Sequence, residues 1–316
     1  MYVKYVPPFH FALEDDDDVA ESPFGGLTWS GRADTVAEFA RLPLFDADEM
    51  NNASEAEIAR KLRASPYAAD LAREFPGALE NPASAMKALG EALHAFLTSE
   101  TMSPFTSKFD DFLRGKAQLS PLEMKGLTAF ENRAKGACSH CHQMYRHSNR
   151  PESSLFTTYA YDAVGVPRNR AIAANADAKR YDLGLCERSQ KKVPSSDGKW
   201  CGFFRVPSLR NVAVRKRFMH NGVFSRLRDV VAFYATRSTN SDRWYPRGAR
   251  FDDSPDRYRG NVNTLSFPYN RHEGDAPAMD DADIDAIVAF LETLTDEPYR
   301  SRIALANERP SNAELR

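Results

Sequence analysis

Cys138, Cys141 and His142 form a C-x-x-C-H, the spacing at which a chain attaches a c-type haem. Two cysteines on adjacent turns reach both vinyl groups and form thioethers. The histidine directly after the second cysteine is then held under the iron as proximal ligand. Two other readings of a C-x-x-C fit less well. A structural zinc half-site needs a second Cys/His pair, and the remaining cysteines, Cys186 and Cys201, do not make one. A thioredoxin-like redox pair follows a strand in a βαβ pattern, and none precedes Cys138. Cys186 and Cys201 bracket a polar loop. In an oxidising compartment they are expected to close a disulfide worth on the order of 3 kcal/mol; the alternative is two buried thiols.

An iron held by one histidine still lacks a ligand on its other face. Met219, His220, Tyr234, His272 and Met279 all have suitable chemistry, and spacing alone leaves the choice open. The elements that must position these groups are helical. Residues 35–42, 54–63 and 82–98 have helical apolar spacing, and β-branched alternation is scarce throughout. Ser120, Pro121 and Glu123 form a capping box that opens a helix with Leu127, Phe130 and Ala134 on one face, ending at Gly136 just before the haem motif. Leu227, Val230, Val231 and Tyr234 fall at i, i+3, i+4 and i+7. Ile284, Ile287, Val288, Leu291 and Leu294 mark a last amphipathic helix, opened by Asp280 or Asp281. Residues 237–274 are polar and loop-rich, and residues 306–316 are expected to be a disordered tail.

The 316 residues are 42% apolar, enough for a core, and the net charge of −2 favours neither nucleic acid nor an anionic membrane. No apolar run is long enough to span a bilayer. The four-carboxylate run Asp15–Asp18 is expected to be a solvated loop. Residues 1–11 have no basic start and no apolar h-region, so they do not form a secretory signal. Covalent haem attachment takes place outside the cytoplasm. The expectation is therefore that an export signal lies upstream of Met1.

Phe204-Arg205-Val206-Pro207-Ser208-Leu209-Arg210-Asn211-Val212-Ala213, with Phe218-Met219-His220-Asn221-Gly222-Val223-Phe224, resembles the second haem domain of bacterial dihaem cytochrome c peroxidases and their MauG-type relatives. Arg243-Trp244-Tyr245-Pro246 and Tyr258-Arg259-Gly260-Asn261-Val262-Asn263 do so too. Trp29-Ser30-Gly31-Arg32-Ala33-Asp34, Pro43 and Glu49-Met50 resemble the late part of the family's first domain. The resemblance implies an all-α fold. Residues 1–102 would be a partial first, peroxidatic domain lacking its haem motif, and residues 103–305 a cytochrome c-like domain. The chain as given then carries one haem c site, with a second expected in an intact protein whose frame begins upstream.

In this family a methionine or tyrosine follows the His of the Met-His-Asn-Gly segment by fourteen residues, which here is Tyr234, the MauG-type choice. A phenolate stabilises ferric iron and lowers the potential relative to a thioether. His220 then contacts or tunes the haem without binding iron. The resemblance makes Trp29 the electron relay between haems, Glu49 the acid–base carboxylate beside the peroxide-reactive haem, and Arg210 a partner of a haem propionate. Phe39 stands where relatives carry glutamine, and Ser30 where they carry aspartate. Arg215-Lys216-Arg217 replaces a segment that supplies ligands to an interdomain calcium, and its cations oppose a divalent ion. The implied activity is periplasmic reduction of hydrogen peroxide with electrons from a small cytochrome c or another donor. The alternatives are a monohaem electron carrier and a MauG-like protein-modifying oxidase. Homodimers occur in the family, though no segment here argues for one.

Overall fold

Helix starts follow the local cap chemistry. Thr35 accepts from the Glu38 amide (3.1 Å) while Glu38 takes the Thr35 amide (3.3 Å), opening α1 (Val36–Phe45). Ser54 caps α2 (Glu55–Arg63), and Asn81 with Pro82 at the first position opens α4 (Pro82–Thr98). A short α3 (Ala68–Glu74), with no side-chain cap and no buried residue, lies between them. Ser107 caps α5 (Lys108–Leu113), Ser120 caps α6 (Pro121–Glu131) and Asp280 caps α8 (Asp281–Glu292). α7 (Leu227–Thr236) and α9 (Arg302–Asn307) have no side-chain cap. The computed structural model describes residues 1–13, 21–188 and 197–308.

α1, α2 and α4 pack as one helical group around Leu44, Ile58 and Met86. α6 and α8 cross at the centre of the second group. A Cβ on Gly126 would collide with the Ala286 carbonyl, so glycine is what lets these backbones approach. Around the crossing lie Phe109, Phe130, Phe156 and Phe290, all 0–1% exposed, with ring centroids 5.3–6.1 Å apart. Among the described residues two small antiparallel ladders interrupt the helices: β1 (His10–Ala12) with β2 (Ser22–Phe24), and β3 (Tyr161–Asp162) with β4 (Phe204–Arg205). Phe9 and Phe11 from the first group meet Tyr161, Leu185 and Trp200 from the second. Cys186 and Cys201 are disulfide-bonded, as the sequence suggests.

Several expectations need adjustment. The helix before the haem motif stops at Glu131, and Gly136 follows in a separate turn. Residues 306 and 307 are not disordered: they finish α9, and Ala306 is buried at 6% exposure. Asp15–Asp18 and residues 309–316 lie outside the described residues. Among the described residues no helix is long and apolar enough to cross a membrane.

Arg210 is not a surface residue, and its guanidinium is already committed. It pairs bidentately with Asp110 at 2.9 and 3.1 Å, and both side chains are 0% exposed. Its other N–H groups donate to the carbonyls of Ser154 (2.8 and 3.1 Å) and Pro151 (2.9 Å). That correction replaces the expected propionate contact: no donor faces outward. Removing one member leaves an uncompensated buried charge, which costs about 3–5 kcal/mol. Asp110→Ala should lower the unfolding free energy by that amount in urea titration. A loss under about 1 kcal/mol, the scale of an exposed pair, would contradict this placement.

Candidate haem site

The haem motif is wound tightly at the end of α6. The Gly136 amide returns to the Ala129 carbonyl and the Ala137 amide to that of Asn132, at 3.1 and 3.0 Å. Ala137 is left-handed (φ 49°), and a 3-10 turn, Cys138–His140, follows. The His142 amide closes onto the Cys138 carbonyl at 2.8 Å. A Cβ on Gly136 would sit 2.7 Å from the Ala129 carbonyl oxygen and 3.0 Å from Cys138 Sγ, so the turn admits no larger residue unstrained. Cys138 and Cys141 are not joined in a disulfide. Burial pushes the Cys138 thiol up to about 12, and Cys141 adds to the shift.

His142 Nδ1 lies 3.0 Å from the Phe156 carbonyl. A carbonyl only accepts, so Nδ1 carries the proton and the Nε2 lone pair is left for a metal. Burial lowers the imidazole to about 4, against the opposing pull of the Phe156 and Pro207 backbone. The ring is therefore neutral at neutral pH, the form that ligates iron.

Tyr234 projects from α7 into the same space. Burial raises its phenol well above the ordinary value, with Asp162 and the Cys141 and Cys138 thiols adding to the effect. Its hydroxyl has no hydrogen-bond partner among the described residues, and its ring stacks on Tyr269 (6.1 Å, 28°). Tyr234, His142 and Cys138 are all deeply enclosed by protein atoms, yet each keeps partial access to solvent. Two thiols, a neutral imidazole with a free nitrogen and an unpartnered phenol oxygen are the donor set a haem c requires, so the residues present fit that group.

The other candidates separate clearly. Met279 is core at 2% exposure, and Met219 packs half-buried against the same cluster. His272 is in a surface loop, its side chain 87% exposed. His220 is buried, stacked face-to-face on Phe204 (centroids 3.4 Å apart), with Nε2 3.3 Å from Asp253. Trp29 is half-buried in a turn whose carbonyl accepts from the Arg205 amide of β4 at 2.8 Å. Glu49 is exposed on a turn after α1, not enclosed as an acid–base carboxylate should be. Arg215, Lys216 and Arg217 are also exposed.

Sequence reasoning missed two contributors. Phe156 supplies its carbonyl, which no side-chain motif could signal. Arg237 is 0% exposed, donates to the Val164 and Asn263 carbonyls (2.7 and 2.6 Å) and covers the Tyr269 ring at 3.9 Å. Its one signal was a lone cation one turn beyond Tyr234.

The family described as di-haem cytochrome c peroxidase matches residues 12–118. The chain is 35% identical over 305 residues to the methylamine utilization protein MauG of Paracoccus denitrificans, covering 94% of this chain and 73% of that one. A cytochrome-c peroxidase, IdrP1 of a Pseudomonas strain, is 32% identical over 143 residues, 40% of this chain and 34% of the relative. The crystal structure of the diheme peroxidase BthA from Burkholderia thailandensis superposes with a TM-score of 0.89 at 51% identity, covering 95% of this chain and 71% of that one. The chain therefore belongs to the di-haem cytochrome c peroxidase and MauG family of mostly helical, peroxidase-like haem c oxidoreductases.

Proposed function

We propose that this chain is an electron-transferring haem c unit in the reduction of hydrogen peroxide, with His142 as proximal ligand and Tyr234 on the opposite face. The observation that carries this reading is the Nδ1 hydrogen bond that frees His142 Nε2 directly after the cysteine pair. Bound there, haem c supplies a one-electron centre whose potential follows its axial ligands.

The chain's own residues do the rest. Cys138 and Cys141 are the attachment points. The Phe156 carbonyl keeps the His142 proton on Nδ1 and fixes the ring plane. Phe218, Phe224 and Val231 contribute apolar wall, which limits water and strengthens local electrostatics. Trp29 is backbone-bonded to β4, two residues before Pro207, whose backbone touches His142. That contact supports Trp29 as the exit for electrons toward the first helical group. The reading includes one haem on this chain, a small cytochrome or similar donor, and a periplasmic location.

Two experiments test the assignment. Produced with haem-maturation machinery and an added export signal, the protein should show a haem-stained band on a denaturing gel. Cys138→Ser/Cys141→Ser should abolish that band while soluble protein remains; a persisting band would remove the site. Tyr234→Met should raise the midpoint potential on the order of 0.1 V, within the roughly 0.8 V that axial ligands control. Tyr234→Phe should likewise lose any phenolate-to-iron absorption. Unchanged spectra and potential in both would reduce Tyr234 to a core residue. A purely electron-carrying monohaem protein would cycle reversibly and ignore peroxide, which separates that alternative.

A further inference from the structure

The turn that carries Trp29 is gripped from two directions. Leu27 and Ala33 bond each other's backbone at 2.7 and 3.5 Å and close the loop between them. On one side Arg205 donates its amide to the Trp29 carbonyl (2.8 Å) and Nε to that of Thr28 (3.2 Å). On the other side lie Tyr161 and Arg188. The Tyr161 hydroxyl packs against Gly31 and donates to the Gly25 carbonyl at 2.8 Å. Gly31 has φ +66°, and a Cβ there would lie 3.5 Å from Arg188 Nη1.

Arg188 brings a guanidinium to that second grip. Its side chain is 6% exposed and its Nη2 lies 2.5 Å from Asp34 Oδ1. The same Asp34 oxygen accepts the Phe9 amide at 3.2 Å, and the guanidinium stacks 4.3 Å from the Phe9 ring centroid. One side chain from the haem-bearing group thus ties together Phe9, Asp34 and the floor of the Trp29 turn. A buried pair of this kind is poor evidence for stability, because desolvation offsets most of the attraction. It is better evidence for placement.

What holds Arg188 is equally specific. It caps the 3-10 turn Leu185–Glu187, its amide on the Leu185 carbonyl at 3.1 Å. Cys186, inside that turn, is bonded to Cys201. The Leu185 amide bonds the Phe203 carbonyl and the Gly202 amide the Leu183 carbonyl, both at 2.9 Å. Arg188 and Arg205 therefore stand on one frame, closed by the disulfide, and both reach the Trp29 turn.

We propose that Arg188 is a positioning residue for Trp29, and that the Cys186–Cys201 disulfide keeps it in place. This deepens the relay reading of Trp29 without depending on electron traffic. The test uses the haem-loaded protein labelled with 5-fluorotryptophan, the Trp29 resonance assigned by Trp29→Phe. In the ferric state that resonance reports the position of the ring relative to iron. Arg188→Gln should shift or broaden it, leave the core Trp244 resonance in place, and speed exchange of the Arg205 amide by about tenfold. Arg188→Lys, which keeps the charge, should largely restore both readouts. Cys186→Ser/Cys201→Ser should reproduce the Arg188→Gln pattern. The proposal is overturned if Trp29 and the Arg205 amide are unmoved, if lysine rescues nothing, or if Trp244 moves as much as Trp29. Should Arg188→Gln not fold, Asp34→Asn is read by the same criteria.

Discussion

The imidazole of His142 is useful only in one tautomer and one orientation, and both depend on the carbonyl of Phe156. That carbonyl is held indirectly. Arg210 grips the carbonyls of Pro151 and Ser154, which fixes the segment leading into Phe156, and Asp110 neutralises the buried guanidinium. Phe156 itself is 0% exposed among Phe109, Phe130 and Phe290. A side chain on the loop after β4 thus sets the geometry of a ligand on the loop after α6. Arg210 matters to the haem site through backbone, not through contact with the prosthetic group.

The same economy of means operates where the two helical groups meet. Few strands are present, so main-chain pairing cannot join them over any length. Contact is made instead by aromatic rings (Phe9, Phe11, Tyr161 and Trp200), by the Arg188–Asp34 pair and by the Arg205 amide on Trp29. Apolar rings supply the area and are tolerant of small displacements. Polar contacts of this kind are directional and tolerate little. On the proposed relay role of Trp29, a turn that keeps an aromatic ring at a fixed distance from a redox centre would gain more from the second kind.

What could be read in the sequence was local. Thr35, Ser54, Ser120 and Asp280 cap helices because a side-chain oxygen reaches an amide two or three residues on, and that geometry needs no tertiary knowledge. The C-x-x-C-H is equally local, and the Cys186–Cys201 pair nearly so. What could not be read were partners fixed by the fold. Arg210 finds Asp110 across 100 positions, and Arg188 finds Asp34 across 154. α3 was missed because it buries nothing and so has no amphipathic stripe. Glu49 was expected to be enclosed, but enclosure depends on what packs above the turn after α1, and among the described residues that turn faces solvent.

The surroundings of Tyr234 bear on why a phenol occupies that position. A phenol in an apolar cleft resists ionisation, and burial with Asp162 nearby strengthens that resistance. Only a strongly electron-withdrawing neighbour could draw the proton off. On the proposed assignment ferric iron would be such a neighbour and ferrous iron a much weaker one, so iron oxidation state and phenol ionisation would be coupled. Arg237, stacked over Tyr269 behind the phenol, is a fixed positive charge that opposes the effect of Asp162 on Tyr234. A thioether has no proton to lose and would respond to neither charge in this way. On that proposal, tyrosine in that place would give the protein's own electrostatics a direct hold on the redox balance, through groups that need not touch the iron.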